Sequence, residues 1–128
     1  MNTSSPEKFR TLVLGASNRE GRFSYLAIKS LVKNEVEVIA IGARSGNVDG
    51  VDITTDKVEL NDVHTVTLYL NAKNQSSYID YILSLKPKRI IFNPGTENPE
   101  LLTKARESGI EVLFNCTLVM LNNGSYFR

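Results

Sequence analysis

The chain has 128 residues, 41% of them apolar, which is enough for one core and leaves little for a second lobe. Its 15 basic and 14 acidic residues are spread along the sequence and leave a formal charge of +1, so there is no basic stripe for nucleic acid or an acidic membrane. No secretion-type apolar segment and no run near the roughly 20 residues of a bilayer span is present, and the lone Cys116 suits a reducing compartment; the expectation is a soluble, cytoplasmic protein.

Residues 1–8 read as a loose tail and 9–128 as a single domain. Arg10 to Gly15 (RTLVLG) is a short aliphatic run of the kind buried on both faces of a parallel sheet. From Ser24 the apolar positions Leu26, Ala27, Ile28, Leu31 and Val32 follow helical spacing, with Lys33 and Asn34 where the helix should stop. Glu37 to Ile41 (EVIAI) is a second strand and Thr65 to Leu70 (TVTLYL) a third. The stretch between them, 42–64, has weak periodicity and reads as a degenerate helix or mostly loop.

Asn74 to Leu85 places Tyr78, Ile79, Ile82 and Leu83 on one helical face, and Pro87 should end that helix. Arg89 to Phe92 (RIIF) is a fourth strand. Asn98-Pro99-Glu100 then gives a helix start with an Asn cap, a proline at the first position and a carboxylate near the positive dipole end, and Gly109 is its stop. Glu111 to Phe114 (EVLF) is a fifth strand, and Thr117 to Phe127 is apolar enough to pack on the sheet or on a second subunit. Strands alternating with helices predict a doubly wound, five-stranded parallel sheet in a single three-layer, Rossmann-like α/β domain. In such folds the ligand lies outside the carboxyl ends of the strands.

Two strand exits carry the functional signal. Gly15-Ala16-Ser17-Asn18-Arg19-Glu20-Gly21-Arg22 precedes a helix whose free amides attract an anion, and Gly15 and Gly21 allow a tight turn and a close backbone approach. The loop is neither G-x-G-x-x-G nor a Walker loop, and a purely structural turn is the alternative. Strand two ends in Ile41-Gly42-Ala43-Arg44, without the Asp or Glu that holds the ribose of NAD; Glu35 and Glu37 stand at the strand's other end. Arg44 suits a ribose bearing its own phosphate, which leaves NADP or coenzyme A, or it is a solvated loop arginine. His64, the only histidine, precedes strand three and so lies at the opposite sheet edge. With one histidine and one cysteine, no zinc-type ligand cluster can form. Cys116 follows strand five, either as a small buried hydrophobe or as a thiol at the ligand edge.

The blocks GASNREGRFSY (15–25), GARSGNVDG (42–50), NPGTENPELLTKARESGIEVL (93–113) and FNC (114–116) resemble the stand-alone CoA-binding domain family, related to the amino-terminal domain of the succinyl-CoA synthetase alpha subunit, from about Thr11 to Leu121. The resemblance implies that Gly15, Ala16, Ser17, Asn18, Gly21 and Arg22 surround a pyrophosphate and that Gly42, Ala43 and Arg44 face the adenosine and its phosphate. It implies that Leu70-Asn71-Ala72 and Asn93 to Thr96, including Gly95, line the remaining groove. Family members generally carry Asn-Pro and a basic residue after strand two and Asp-Arg before the late Cys; here these are Gly42-Ala43-Arg44 and Phe114-Asn115. The favoured reading is a small protein that binds CoA, a small-molecule nucleotide ligand, without acting on it, as a homodimer or beside an enzyme partner. The alternatives are an NADP-dependent or CoA-linked enzyme, and a regulatory domain that has kept the fold and lost the ligand.

Overall fold

The computed structural model describes residues 9–128, so the tail expected at 1–8 lies outside the described residues. Its seven strands form one sheet: β1 (Thr11–Ala16), β2 (Val38–Gly42), β3 (Gly46–Val48), β4 (Val51–Thr54), β5 (Thr65–Leu68), β6 (Arg89–Phe92) and β7 (Glu111–Phe114), in the order β3-β4-β2-β1-β5-β6-β7. The chain starts at β1 in the middle of the sheet, builds outward through β2 and β4, then returns to build the other half from β5 to β7. All neighbouring pairs are parallel except β3 with β4.

The expected sheet of five parallel strands is therefore corrected to seven strands in a mixed sheet. The two extra strands come from the segment read as degenerate helix or loop. Asp49 and Gly50 both have positive φ, +49° and +87°, which is what a two-residue hairpin turn matching the twist of its strands requires. Val48 and Ile53 are buried while Asn47 and Asp52 face out and bond to each other at 2.8 Å. That is strand alternation, over a span too short to stand out beside a polar loop.

Helices cover both faces. On one side α1 (Phe23–Lys33) and α5 (Thr117–Asn123) bury Ile28, Leu31, Met120 and Leu121 against Val13, Ala40 and Ile91. On the other, α3 (Ile79–Ser84) and α4 (Pro99–Glu107) bury Ile79, Ile82, Leu101 and Ala105 against Leu12, Leu14, Val66, Leu68, Ile90 and Phe92. Neighbours within one strand thus fall into opposite cores, which is why β1 is a continuous aliphatic run; each full burial of a Leu or Ile contributes about 1.5–3 kcal/mol. The carboxyl-terminal stretch folds back onto its own sheet, with Tyr126 wholly buried.

The helix expected at 74–85 is two pieces. Asn71 caps a first turn, α2 (Ala72–Gln75), by accepting from the Asn74 amide at 2.9 Å; a 3-10 turn at Ser76–Tyr78 follows, and α3 is the second piece. Buried Gln75 explains the early start: its amide donates to Leu70 O at 2.8 Å and Thr96 O at 2.7 Å and its oxygen accepts from Asn98 at 2.9 Å, joining two strand-exit loops.

Helices α1 and α4 close with the same pair of bonds. Val36 donates to Leu31 O and Glu35 to Val32 O after α1, as Ile110 does to Ala105 O and Gly109 to Arg106 O after α4. The residue in the left-handed region is Gly109 (φ +77°) in one and Glu35 (φ +62°) in the other. A side chain there is strained, and exposed Glu35 has no packing to lose. Glu35→Gly should therefore raise stability by about 0.5–1 kcal/mol after the extra chain entropy of glycine is subtracted. Urea unfolding measures this, and an unchanged or lower midpoint would refute it.

Candidate functional site at the carboxyl edge of the sheet

At the exit of β1 the strand bulges. Pairing with β2 slips between Leu14 and Ala16, and Gly15 takes φ +94°. A Cβ on Gly15 would stand 2.8 Å from the Tyr69 carbonyl carbon and 3.0 Å from Leu70 Cγ, so this glycine serves the close approach of β1 to the end of β5. The loop that follows is pinned locally: Ser17 Oγ accepts from the Arg19 amide at 3.1 Å, and Arg22 N donates to Arg19 O at 3.2 Å. Gly21, at φ +86°, has open space where a side chain would be.

Helix α1 then begins at Phe23 with extended Arg22 as its N-cap. No side chain caps it and no acid stands in its first turn. Its first amides have no acceptor within the helix and carry the positive end of the dipole. The contrast with α4 is direct, since there Asn98 accepts from Glu100 N and Leu101 N and Glu100 adds a carboxylate.

The exit of β2 lies alongside. A Cβ on Gly42 would fall 2.2 Å from Ala16 O, so these two strand ends pack backbone to backbone. Beyond them a cavity of about 290 Å³ is lined by Ala16, Ser17, Asn18, Arg19, Arg22, Ala43 and Arg44. Three arginines and no carboxylate line it. Asn18 also lies against Gly46, where a Cβ would meet its Nδ2 at 2.7 Å, and so ties the first loop to the β3–β4 hairpin.

A second cavity, of about 160 Å³, opens at the exits of β5, β6 and β7 and is lined by Phe23, Tyr69, Asn93, Pro94, Cys116 and Leu118. Asn93 is buried and fully engaged: Nδ2 donates to Thr67 Oγ1 and Leu68 O, and Oδ1 accepts from the Thr117 amide at the start of α5. Tyr69 Oη is buried without a hydrogen-bond partner. Burial pushes the Tyr69 phenol above its usual range, and the Thr117 and Thr67 hydroxyls bond to each other at 2.8 Å.

Of the residues singled out from sequence, the structure gathers Ala16, Ser17, Asn18, Arg22, Ala43 and Arg44 around the basic cavity, with Gly21 in the same loop. Gly15 and Gly42 lie beneath it as backbone contacts. Asn93 lines the apolar cavity, Asn71 is the cap of α2, and Gly95 (φ +90°) shapes the exposed loop after β6. Arg19, Phe23, Tyr69 and Leu118 were not singled out; only Arg19, within the glycine-flanked loop, carried a sequence signal. Cys116 does reach the carboxyl edge, and His64 lies at the amino edge, where its amide donates to Arg10 O.

A family model described as a CoA binding domain matches residues 10–122. The chain belongs to the CoA-binding domain family. Among solved structures, this CoA-binding domain is similar to a crystal structure of an uncharacterized protein, at 49% identity and TM-score 0.88, covering 91% of this chain and 96% of the other. It is also similar to a hypothetical protein from Pyrococcus horikoshii OT3, at 20% identity and TM-score 0.81 over 90% and 82% of the two chains. A conserved hypothetical protein from Pyrococcus furiosus matches at 19% identity and TM-score 0.72, over 82% and 91%. The last two likenesses concern the fold alone. No curated protein matches the sequence. Among the described residues no helix is long and apolar enough to cross a membrane.

Proposed function

We propose that this CoA-binding domain holds coenzyme A across the carboxyl edge of a Rossmann-like sheet as a binding protein. The observation that carries the reading is the meeting of an uncapped helix start with three arginines and no carboxylate in one cavity. The amides opening α1, the bare backbone at Gly21 and the Arg22 guanidinium would hold the pyrophosphate, with Arg19 beside them. Arg44, from the neighbouring strand exit, would hold the phosphate on the ribose. A coenzyme bound in this way brings a thiol that can carry acyl groups; the residues here contribute binding and orientation.

Calorimetry on the purified chain tests the assignment. CoA should bind saturably, and Arg44→Ala should weaken it about tenfold, the order of one charge-assisted hydrogen bond. Dephospho-CoA, which lacks the ribose phosphate, should be insensitive to Arg44→Ala yet weakened by Arg22→Ala. Tighter binding of NADP than of CoA would transfer the site to the dinucleotide, and no binding of any adenine nucleotide would overturn the assignment.

A further inference from the structure

We infer that the apolar cavity behind Phe23 receives a short, uncharged acyl group, so that the preferred ligand is a short-chain acyl-CoA and not the free coenzyme. The inference rests on the reading of the basic cavity as the phosphate site. Continuity is its first support. Arg22 lines the basic cavity and the next residue, Phe23, lines the apolar one, so a single extended ligand crossing the start of α1 meets both.

Chemistry is the second. The side chains around the apolar cavity are Phe23, Tyr69, Asn93, Pro94, Cys116 and Leu118, none of them charged. The one amide among them spends its oxygen and nitrogen on Thr67, Leu68 and Thr117, and the Tyr69 hydroxyl is buried away from solvent. Most of the surface that faces the space is apolar. A thiol alone would leave much of it unfilled. A terminal carboxylate would be stripped of water with no cation among the lining residues to meet it.

Size is the third. A volume of about 160 Å³ is close to the ~150 Å³ of an apolar cavity that takes up benzene, so it suits the roughly six non-hydrogen atoms of a butyryl thioester and is too small to enclose a fatty chain. Each methylene transferred from water into such a pocket strengthens binding roughly fourfold. The larger cleft between α1 and α5 is lined by Ser30, Lys33, Asn34, Val119, Leu121 and Asn122, and Leu118 lines both that cleft and the apolar cavity.

The test is calorimetry on the whole chain in reducing buffer with CoA, acetyl-CoA, butyryl-CoA, hexanoyl-CoA and succinyl-CoA. Butyryl-CoA should bind roughly tenfold tighter than CoA and roughly tenfold tighter than succinyl-CoA. Leu118 is half-buried on α5 and outside the buried core. Leu118→Trp should erase the butyryl advantage by filling the cavity. Leu118→Ala should move the preference from butyryl to hexanoyl, a gain that a misfolded protein cannot give. Equal affinity for CoA and butyryl-CoA, or succinyl-CoA as tight as butyryl-CoA, would overturn the acyl pocket and leave the coenzyme site standing. Failure of every form to bind would overturn both.

Discussion

Gly42→Ala is expected to cost about 3–5 kcal/mol, more than glycine-to-alanine changes usually do. The added methyl would sit 2.2 Å from Ala16 O and 3.1 Å from both the Ala16 carbonyl carbon and Ile53 Cγ2. Two of those three atoms are backbone, and they cannot swing aside. Relief requires the ends of β1 and β2 to separate where Ala16 pairs with Gly42, which also pulls apart the two loops that form the basic cavity. Stability and coenzyme affinity should therefore fall together. Gly21→Ala meets no atom within 4 Å and should lose only about 1 kcal/mol, for its positive φ. Denaturant unfolding of both variants is the measurement; a loss below 1 kcal/mol at Gly42 would contradict the packing described.

Arg89→Ala is expected to cost a similar amount, about 3–5 kcal/mol, at the opposite end of the sheet. Arg89 is 3% exposed on β6, with Nε donating to Thr65 Oγ1 at 2.8 Å and an Nη to Tyr126 O at 2.9 Å. Its guanidinium lies 4.4 Å from the Tyr126 ring centroid and 5.8 Å from that of Phe9. Among the described residues no carboxylate pairs with it. Removing the side chain would leave a void, an unpaired Tyr126 carbonyl and an unpinned carboxyl terminus.

The same charge acts on His64, which packs on Phe9 at a ring separation of 4.7 Å and bonds to Thr65 Oγ1 at 2.7 Å. Burial, then the charges of Arg89 and Lys88, push its imidazole down to about 4. The unfolded chain takes up a proton near pH 6.5 and the folded chain does so only near pH 4. Stability from the neutral ring is therefore fully present above pH 6.5 and lost as pH falls toward 4, with no further loss from this group below that. Because solvent screens the half-buried ring, the loss should be about 1–2 kcal/mol, short of the full shift. Unfolding free energies at pH 7 and pH 4.5 should show this slope. Substituting His64 with Gln should flatten it, and the His64 proton affinity measured by NMR should rise in Arg89→Ala.

Where one residue's chemistry acts on its own chain neighbours, the fold and the outline of the candidate site were legible in the sequence. The aliphatic run of β1, the Asn98-Pro99 start of α4 and the Gly109 stop each stand where their local physics puts them. The glycine-flanked loop before an uncapped helix and the placement of Arg44 after β2 were readable for the same reason. The Asp49-Gly50 turn was equally local, but its flanking strands of three and four residues gave the period-two pattern too little length to register beside the polar residues around it.

Long-range packing decided the rest. Nothing along the chain distinguishes Arg89 from a solvated arginine at a strand end, or Gln75 from a surface helix residue; both are buried because tertiary partners, Tyr126 in one case and Asn98 with Thr96 in the other, satisfy their polar atoms. The close packing of Gly42 on the Ala16 carbonyl shows only in the folded sheet. The apolar cavity is likewise absent from the sequence, since Phe23, Tyr69, Asn93 and Cys116 come from four separate segments. Local order of strands and helices, with the glycine-flanked loop before α1, follows from backbone and side-chain preferences that act within a few residues. A cavity's shape and a buried polar group's partners depend on atoms far apart in the chain, and only the closed sheet brings those atoms together.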